Sequence, residues 1–256
     1  MTLYHQEIEE AISIANDVYR KYKDTIKNPL KFRADGFIMQ ILYKEDIQVD
    51  FYPFSSDLCG LFHVDEYEKT IVYNSNQPAE RRNFTLGHEL GHYFIHRDMQ
   101  SQFSDRMKDL VDNSIKPFEV QANIFASYTM LPRNILEWMI YSQYSFFRIK
   151  NVIKMSCSAL YWRLVNHFIE VYNFSSEEAI LITEEYYQYS IKKLNNEAHH
   201  INAQIFKLTN SNKERVLDIL RNSDIKLTYA NNKEFRKTKK NSPKSVVDIL
   251  KKSLLK

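Results

Sequence analysis

Two histidines and a glutamate stand at a spacing that suits metal chemistry. His88, Glu89 and His92 form the pattern His-Glu-x-x-His within a stretch whose sequence predicts a helix. Residues four apart on a helix are about 40° apart around its axis and one turn apart along it, so both imidazoles can face one ion. Glu89 is offset around the helix, where it can reach a water molecule beside the metal. Zinc acidifies such a water, and a carboxylate can take its proton. The pattern therefore predicts a hydrolytic zinc site.

A pattern with only three fixed positions also occurs by chance, so the residues around it matter. Leu86, Leu90 and Phe94 give the helix an apolar side away from the histidines. Two of the four glycines in the chain, Gly87 and Gly91, fall inside the same helix. Each glycine costs about 1 kcal/mol relative to alanine in a helix interior. A helix tolerates that cost where another backbone approaches closely, so we expect a second helix to pack on this one.

A catalytic zinc site needs a third protein ligand. Glu119 lies on a second predicted helix, and Ala122 and Ala126 share its face. These small residues would let that helix press against the two glycines and bring the carboxylate to the histidines. From the residues alone, Glu119 is one of several candidates. The acidic alternatives are Asp98, Asp105 and Asp112.

His96 continues the four-residue spacing, but we do not expect it to bind the same ion. It lies two turns from His88, or about 12 Å along the helix axis. One zinc ion that binds its ligands at about 2.1 Å cannot take both side chains. A metzincin site is also excluded, because Ile95 occupies the position where that class has glycine. We therefore predict that His96 supports the site or the fold.

Several spaced blocks of sequence carry a family resemblance. They are residues 71–74, residues 81–96, residues 119–126 and the segment Met130-Leu131-Pro132. Together they resemble the ImmA/IrrE family of metallo-endopeptidases over about residues 35–140. The family pattern is close to R-x-F-T-x-A-H-E-L-G-H-x-x-x-H, followed by E-x-x-A-N-x-F-A and a later M-P or L-P. Gly87 departs from this pattern, because the family more often has alanine there.

The resemblance assigns roles to individual residues. It implies that His88, His92 and Glu119 are the metal ligands and that Glu89 is the general base. The expected cofactor is one Zn²⁺ per chain, with another divalent metal such as Mn²⁺ as the alternative. Our candidates for stabilising the oxyanion rest on residue type and are Tyr73, Tyr128 and Arg82.

The resemblance also implies a biological role. Members of the family are cytoplasmic proteases that cut a helix-turn-helix repressor and so derepress mobile-element, phage or stress genes. A helix-turn-helix repressor is therefore the expected partner and substrate, and direct DNA contact is a further alternative. Two other functions stay open, namely a regulator that binds a repressor or DNA without cutting, and the toxin of a two-gene module. The oligomeric state is not predicted.

Hydrophobic periodicity predicts an α+β fold that is mostly α. The resemblance implies that its centre is a zincin-like core, and the strand pattern predicts a small antiparallel three-stranded sheet. The predicted strands are residues 47–51, 58–64 and 69–73. The predicted helices of the core are residues 7–23, 33–43, 78–97, 115–130 and 132–142, with a loop at 98–114. We predict three domains: a peptidase domain at 1–140, a helix-turn-helix-like segment at 141–172, and a helix-rich region of unknown role at 173–256. A chain that ends near Asn173 is expected to fold and bind zinc, unless the later helices are needed for packing.

Composition and the remaining motifs bound the function further. The formal net charge is +3, but the segment 226–256 is strongly basic while the rest is mildly acidic. The chain has two cysteines, shows no signal-peptide pattern and lacks an apolar run long enough to span a bilayer, so a cytoplasmic protein without membrane contact is expected. Cys59 and His63 are an unfavoured thiol-nucleophile pair on a predicted strand. His199 and His200 are adjacent and would point in different directions on a helix, which makes them a poor metal pair.

Overall fold

The structure is a computed structural model that describes residues 3–26, 28–54, 58–99, 102–106, 117–192 and 208–221. Its helices within these ranges are α1 (Leu3–Tyr22), α2 (Ala34–Lys44), α3 (Ala79–Gly91), α4 (Pro117–Met130), α5 (Arg133–Tyr141), α6 (Phe146–Ile153), α7 (Cys157–Tyr172), α8 (Ser176–Lys192) and α9 (Lys213–Arg221). Its strands within these ranges are β1 (Gln48–Tyr52), β2 (Leu58–Val64), β3 (Lys69–Asn74) and β4 (Gln102–Arg106). A π-helical turn, His92–His96, extends α3. The α+β class with mostly helical content is confirmed.

The sheet differs from the expected antiparallel three-stranded arrangement in two ways. It has four strands in the order β1-β3-β2-β4, and β1 runs parallel to β3. The pairs β2–β3 and β2–β4 are antiparallel, as expected for hairpin-like neighbours. The fourth strand falls in the segment predicted as a loop, because the polar sequence of Gln102–Arg106 lacks the apolar alternation that marks a half-buried strand. Strand direction depends on the path of the chain between strands, which apolar alternation does not encode.

The chain divides into two compact units. The first consists of the chain up to Pro132 with Ile153–Ser156, and it contains α1–α4 and the sheet. The second contains Arg133–Val152 and the described residues between Cys157 and Arg221. The predicted domain boundaries at residues 140 and 172 stay a prediction.

Helix packing builds the core of the first unit. Helix α4 packs against both α3 and α1, so it lies between them. The α1 face that packs inward carries an apolar stripe at helical spacing, and its members Ala11, Ala15 and Val18 are buried. Helix α2 adds Ile38 and Ile41, which are fully buried. The predicted helices 7–23 and 33–43 are therefore confirmed to within a few residues at their ends.

The second unit is helical throughout its described part. Helix α7 packs against α8, and the hydroxyl of Tyr161 on α7 lies 3.3 Å from the Glu184 carboxylate on α8. The buried Tyr186 hydroxyl of α8 donates to the carbonyl of Tyr144. Phe168 and Phe174 stack with their ring centroids 6.3 Å apart. Residues on both sides of position 172 therefore share one core, so removing α8 would expose the apolar face of α7.

Some sequence features fall elsewhere or stay untested. The apolar residues of the helix-turn-helix-like segment are largely buried; they include Phe146, Ile149, Leu160, Leu164 and Phe168. His199, His200 and the basic segment 226–256 lie outside the described residues. Across the described part of the chain, no helix has the length and apolar character needed to cross a bilayer.

Candidate metal centre

The approach of α3 to α4 assembles the site. Gly87 of α3 faces Ala126 of α4, and Gly91 faces Ala122 one turn further along. This pairing confirms the expectation that two glycines and two alanines would let the helices come close. Because α4 lies against the histidine-bearing helix, its first turn brings Glu119 to the same place.

Three side chains converge on one point. The Nε2 atoms of His88 and His92 lie 3.1 Å apart, and the Glu119 carboxylate oxygens lie 3.2 Å from Nε2 of His88 and 3.7 Å from Nε2 of His92. Ligand atoms held tetrahedrally at about 2.1 Å from one zinc ion are about 3.4 Å from one another. The three side chains therefore fit a single tetrahedral metal ion, and among the described residues they form the one group of three or more such side chains that could hold a metal. Both histidines are buried, whereas Glu119 is half-buried.

The opposite nitrogen of His88 is held by α4. Its Nδ1 lies 3.0 Å from Oδ1 of Asn123, an oxygen that can only accept a hydrogen bond. This contact places the ring proton on Nδ1 and leaves the Nε2 lone pair directed at the point of convergence. Hydrogen bonds of this kind orient metal-binding histidines and fix their tautomer.

His96 plays the same part for His92. Their Nδ1 atoms lie 3.0 Å apart, across the π-helical turn that follows α3. Burial lowers the pKa of His92 well below its ordinary value, and the neighbouring His88 and His96 lower it further. A neutral imidazole is the form that binds a metal. The prediction that His96 supports the site instead of joining it agrees with this geometry.

Glu89 lies between the metal-binding face and the sheet. Its side chain is fully buried, and its carboxylate meets the backbone of β2 at Gly60. A Cβ placed on Gly60 would lie 2.6 Å from Oε1 of Glu89 and 2.5 Å from Cγ2 of Thr85. The absence of a side chain at position 60 is what leaves room for the carboxylate. Sequence reasoning overlooked Gly60, although a glycine inside a strand often marks such a close approach.

The other acidic candidates for the third ligand, and the cysteine considered as a nucleophile, either lie away from this centre or lie outside the described residues. The Asp98 side chain is 96% exposed. The side chain of Asp105 and all of Asp112 lie outside what the structure describes. Cys59 is a buried cysteine that accepts a hydrogen bond from Arg81 at 3.4 Å, which fits a small core residue.

His63, the other member of the unfavoured thiol-nucleophile pair, contacts the Asp65 carboxylate at 3.3 Å. The oxyanion candidates Tyr73, Tyr128 and Arg82 stay a prediction. Sequence reasoning also overlooked Gln121, which lies on α4 between Glu119 and Asn123 and contacts His96.

Comparisons with known proteins find a matching family and a similar phage protein. Residues 43–165 match the IrrE N-terminal-like domain, Peptidase_M78. The chain is also similar to a curated protein described as "Uncharacterized immunity region protein 2" from Bacillus phage phi105, with 36% identity over 88 residues. That similarity covers 34% of this chain, and the chain spans about half, 51%, of the relative's length. The family is one of metallopeptidases, and it is the family that the sequence blocks resemble. Over residues 43–165, slightly less than half of the chain, the protein is therefore similar to the ImmA/IrrE family of metallopeptidases.

Proposed function

We propose that this chain is a zinc-dependent endopeptidase. The observation that carries the proposal is the convergence of two imidazole nitrogens and one carboxylate at tetrahedral separations, with Glu89 next to His88 on the same helix. Structural zinc sites use four protein ligands, whereas catalytic sites use three and keep one position for water or substrate. A set of two histidines and one glutamate is the donor set of a catalytic zinc site.

The residues divide the chemical work between them. His88, His92 and Glu119 would hold the zinc ion, which supplies Lewis acidity to the scissile carbonyl and to the attacking water. Glu89 takes a proton from that water as its oxygen bonds to the carbonyl carbon. Glu89 then gives the proton to the amide nitrogen as the carbon–nitrogen bond breaks. The products are a carboxylic acid and an amine, which exchange a proton to become a carboxylate and an ammonium group, and Glu89 returns to its starting state.

Position and burial suit Glu89 to this role. Glu89 follows the ligand His88 directly in the chain. It lies on the side of α3 that faces β2 and is shielded from bulk solvent. A buried carboxylate beside a cation transfers protons without competition from bulk water. Its close fit against Gly60 restricts the positions that the carboxylate can take.

For the substrate we propose a helix-turn-helix transcriptional repressor in the cytoplasm, whose cleavage derepresses mobile-element, phage or stress genes. Two findings support this choice, namely the match to a peptidase family and the similarity to a protein named for a phage immunity region. The repressor itself is what the family resemblance of the sequence blocks implies as the substrate. The competing functions are sequestration of the repressor without cleavage and action as a toxin.

The substitution Glu89→Gln separates these functions. It keeps the size and leaves the three metal-binding side chains in place, but it removes the base. We expect the variant to bind zinc and the proposed repressor substrate, yet to leave the repressor intact and repression unrelieved. Glu80→Gln, at the start of the same helix, is the matched control and should cleave as the wild type does. Relief of repression by Glu89→Gln would instead establish sequestration, and growth arrest that does not depend on any repressor would establish a toxin.

A further inference from the structure

A polar chain runs from the candidate metal centre to the N-terminal helix. From Nδ1 of His92 it passes to Nδ1 of His96 at 3.0 Å, and from Nε2 of His96 to Oε1 of Gln121 at 3.0 Å. The Gln121 amide nitrogen then donates to the Glu7 carbonyl and to the Glu10 carboxylate, both at 3.2 Å. His92, His96 and Gln121 are buried, so water does not compete for the contacts among these three side chains.

The direction of every hydrogen bond in the polar chain is set at its α1 end. The Glu7 carbonyl oxygen and the Glu10 carboxylate oxygen accept these hydrogen bonds, so they select the amide nitrogen of Gln121. The amide oxygen must then face His96, which places the proton of His96 on Nε2. Nδ1 of His96 is left as an acceptor, and the proton of His92 must therefore lie on Nδ1.

The opposite direction would disable the site. If the Gln121 amide were reversed, its oxygen would face two acceptors on α1 and its nitrogen would donate to His96. His96 would then carry its proton on Nδ1 and donate to His92. The proton of His92 would move to Nε2, the atom that lies 3.1 Å from Nε2 of His88 at the point of convergence. A protonated nitrogen cannot bind a metal.

We propose that Gln121 and helix α1 form a positioning device that holds His92 in the tautomer required for metal binding. The device rests on the proposed role of His92 as a ligand. Its source of direction, α1 (Leu3–Tyr22), lies before the first residue of the matched family domain, which spans residues 43–165. The metal affinity of the domain thus depends on a helix outside it, which packs on α4 through the stripe of buried residues described above.

Two substitutions at one position separate tautomer control from simple packing. Gln121→Met keeps the side-chain length but removes the acceptor that faces His96. Gln121→Glu keeps an acceptor for His96 but places a carboxylate against the Glu7 carbonyl and the Glu10 carboxylate. If Gln121 acts through the tautomer, Glu preserves metal binding and Met does not. If Gln121 only joins α4 to α1, Glu is at least as harmful as Met.

The matched control is Gln40→Met. Gln40 also donates a hydrogen bond to a backbone carbonyl of α1, that of Tyr22, at 3.2 Å, but it lies outside the polar chain. Zinc affinity of each full-length protein would be measured by competition with a chromophoric chelator. The ring-nitrogen shifts of His96 in the zinc-loaded proteins, recorded by ¹⁵N NMR, would report its tautomer directly.

We expect Gln121→Met to weaken zinc binding by about 10- to 100-fold. Gln121→Glu and Gln40→Met should stay within about threefold of the wild type, which is small beside the effect typical of such supporting residues. His96 should be the Nε2–H tautomer in the wild type and in Gln121→Glu. Equal zinc affinities for Gln121→Met and the wild type, or an equal loss in Gln121→Glu and Gln121→Met, would overturn the inference. A wild-type protein that binds no zinc would instead contradict the proposed function.

Discussion

Gly91 and Ala122 mark the tightest approach between the two helices that carry the candidate ligands. A Cβ built on Gly91 would lie 2.8 Å from Cα of Ala122 and 3.1 Å from its carbonyl oxygen. Both are backbone atoms, so no rotamer change could relieve the contact. The corresponding approach one turn earlier is looser, because a Cβ on Gly87 would lie 3.3 Å from Cα and Cβ of Ala126.

This difference predicts unequal effects of alanine at the two glycines. Gly91→Ala should lower the free energy of unfolding by about 1–3 kcal/mol, the range typical of an overpacked core, and should weaken zinc binding by moving α4. Gly87→Ala should be within about 1 kcal/mol of the wild type, because the gain in helix propensity offsets a contact that small shifts can relieve. Urea unfolding and zinc titration of both variants would measure this. Equal destabilisation by the two substitutions would contradict the packing described here.

The metal centre predicts one zinc ion per chain. Alanine at His88, His92 or Glu119 should reduce the bound zinc well below one equivalent, since each substitution removes one of three ligands. Metal analysis of the purified proteins after dialysis would measure the content. Asp98→Ala is the control, because that exposed carboxylate was an alternative third ligand by sequence and should not matter. Full zinc content in the Glu119 variant would place the third ligand elsewhere.

Because Gly60 lies against the carboxylate of Glu89, we expect Gly60→Ala to slow cleavage without weakening metal binding. Gly60→Ala would bring a methyl group to 2.6 Å from Oε1 of Glu89, so the carboxylate has to move. A displacement of about 1 Å at a reacting group costs on the order of 10²-fold in rate. Zinc content should stay near that of the wild type, because the three ligands lie on other elements. Turnover of a zinc-loaded protein on its cleavable substrate would measure the loss.

Gly36→Ala is the matched control for that experiment. A Cβ on Gly36 of α2 would meet nothing closer than Cβ of Arg33 at 4.0 Å. The control should keep the wild-type rate and gain up to about 1 kcal/mol of stability from its helix propensity. If Gly60→Ala cleaves as fast as Gly36→Ala, Glu89 is not held against β2 during the reaction.

The hydrogen bonds to Glu45 lead us to expect that the first unit loses free energy of unfolding as the pH falls. Burial by itself would raise the pKa of Glu45, but hydrogen bonds donated by Lys21, Tyr22 and Tyr93 outweigh it and lower the pKa from 4.5 to about 2. A carboxyl group whose pKa is lower in the folded state stabilises the fold above its unfolded pKa. That stabilisation is lost as the pH falls from about 4.5 to about 2.

The measurement is unfolding of the metal-free protein across this range, because acid also releases metal by protonating its ligands. We expect the wild type to lose about 1–2 kcal/mol that Glu45→Gln does not lose, since the amide does not titrate there. Glu66→Gln, at an exposed turn residue, should follow the wild-type profile. Parallel profiles for the wild type and Glu45→Gln would show that the contacts of Glu45 add no stability.

The sequence by itself determined the local parts of this protein. The spacing of His88 and His92 fixes their shared helix face, because four residues make about one turn whatever surrounds the helix. Apolar periodicity placed most helices and the first three strands, since each signal lies within a short window. The glycine–alanine pairing between α3 and α4 was also predictable, because small residues recur at one-turn intervals on both helices. The choice of Glu119 over other acidic residues needed the family resemblance.

Only the tertiary structure decided the contacts between segments that are distant in the chain. The parallel pairing of β1 with β3 and the addition of β4 depend on how the connections route the strands. Gly60 meets Glu89, and Gln121 reaches Glu7 and Glu10, only because separate elements pack together. No periodic pattern records such contacts, since each is made by a single side chain whose partner is set by the packing of whole helices and strands.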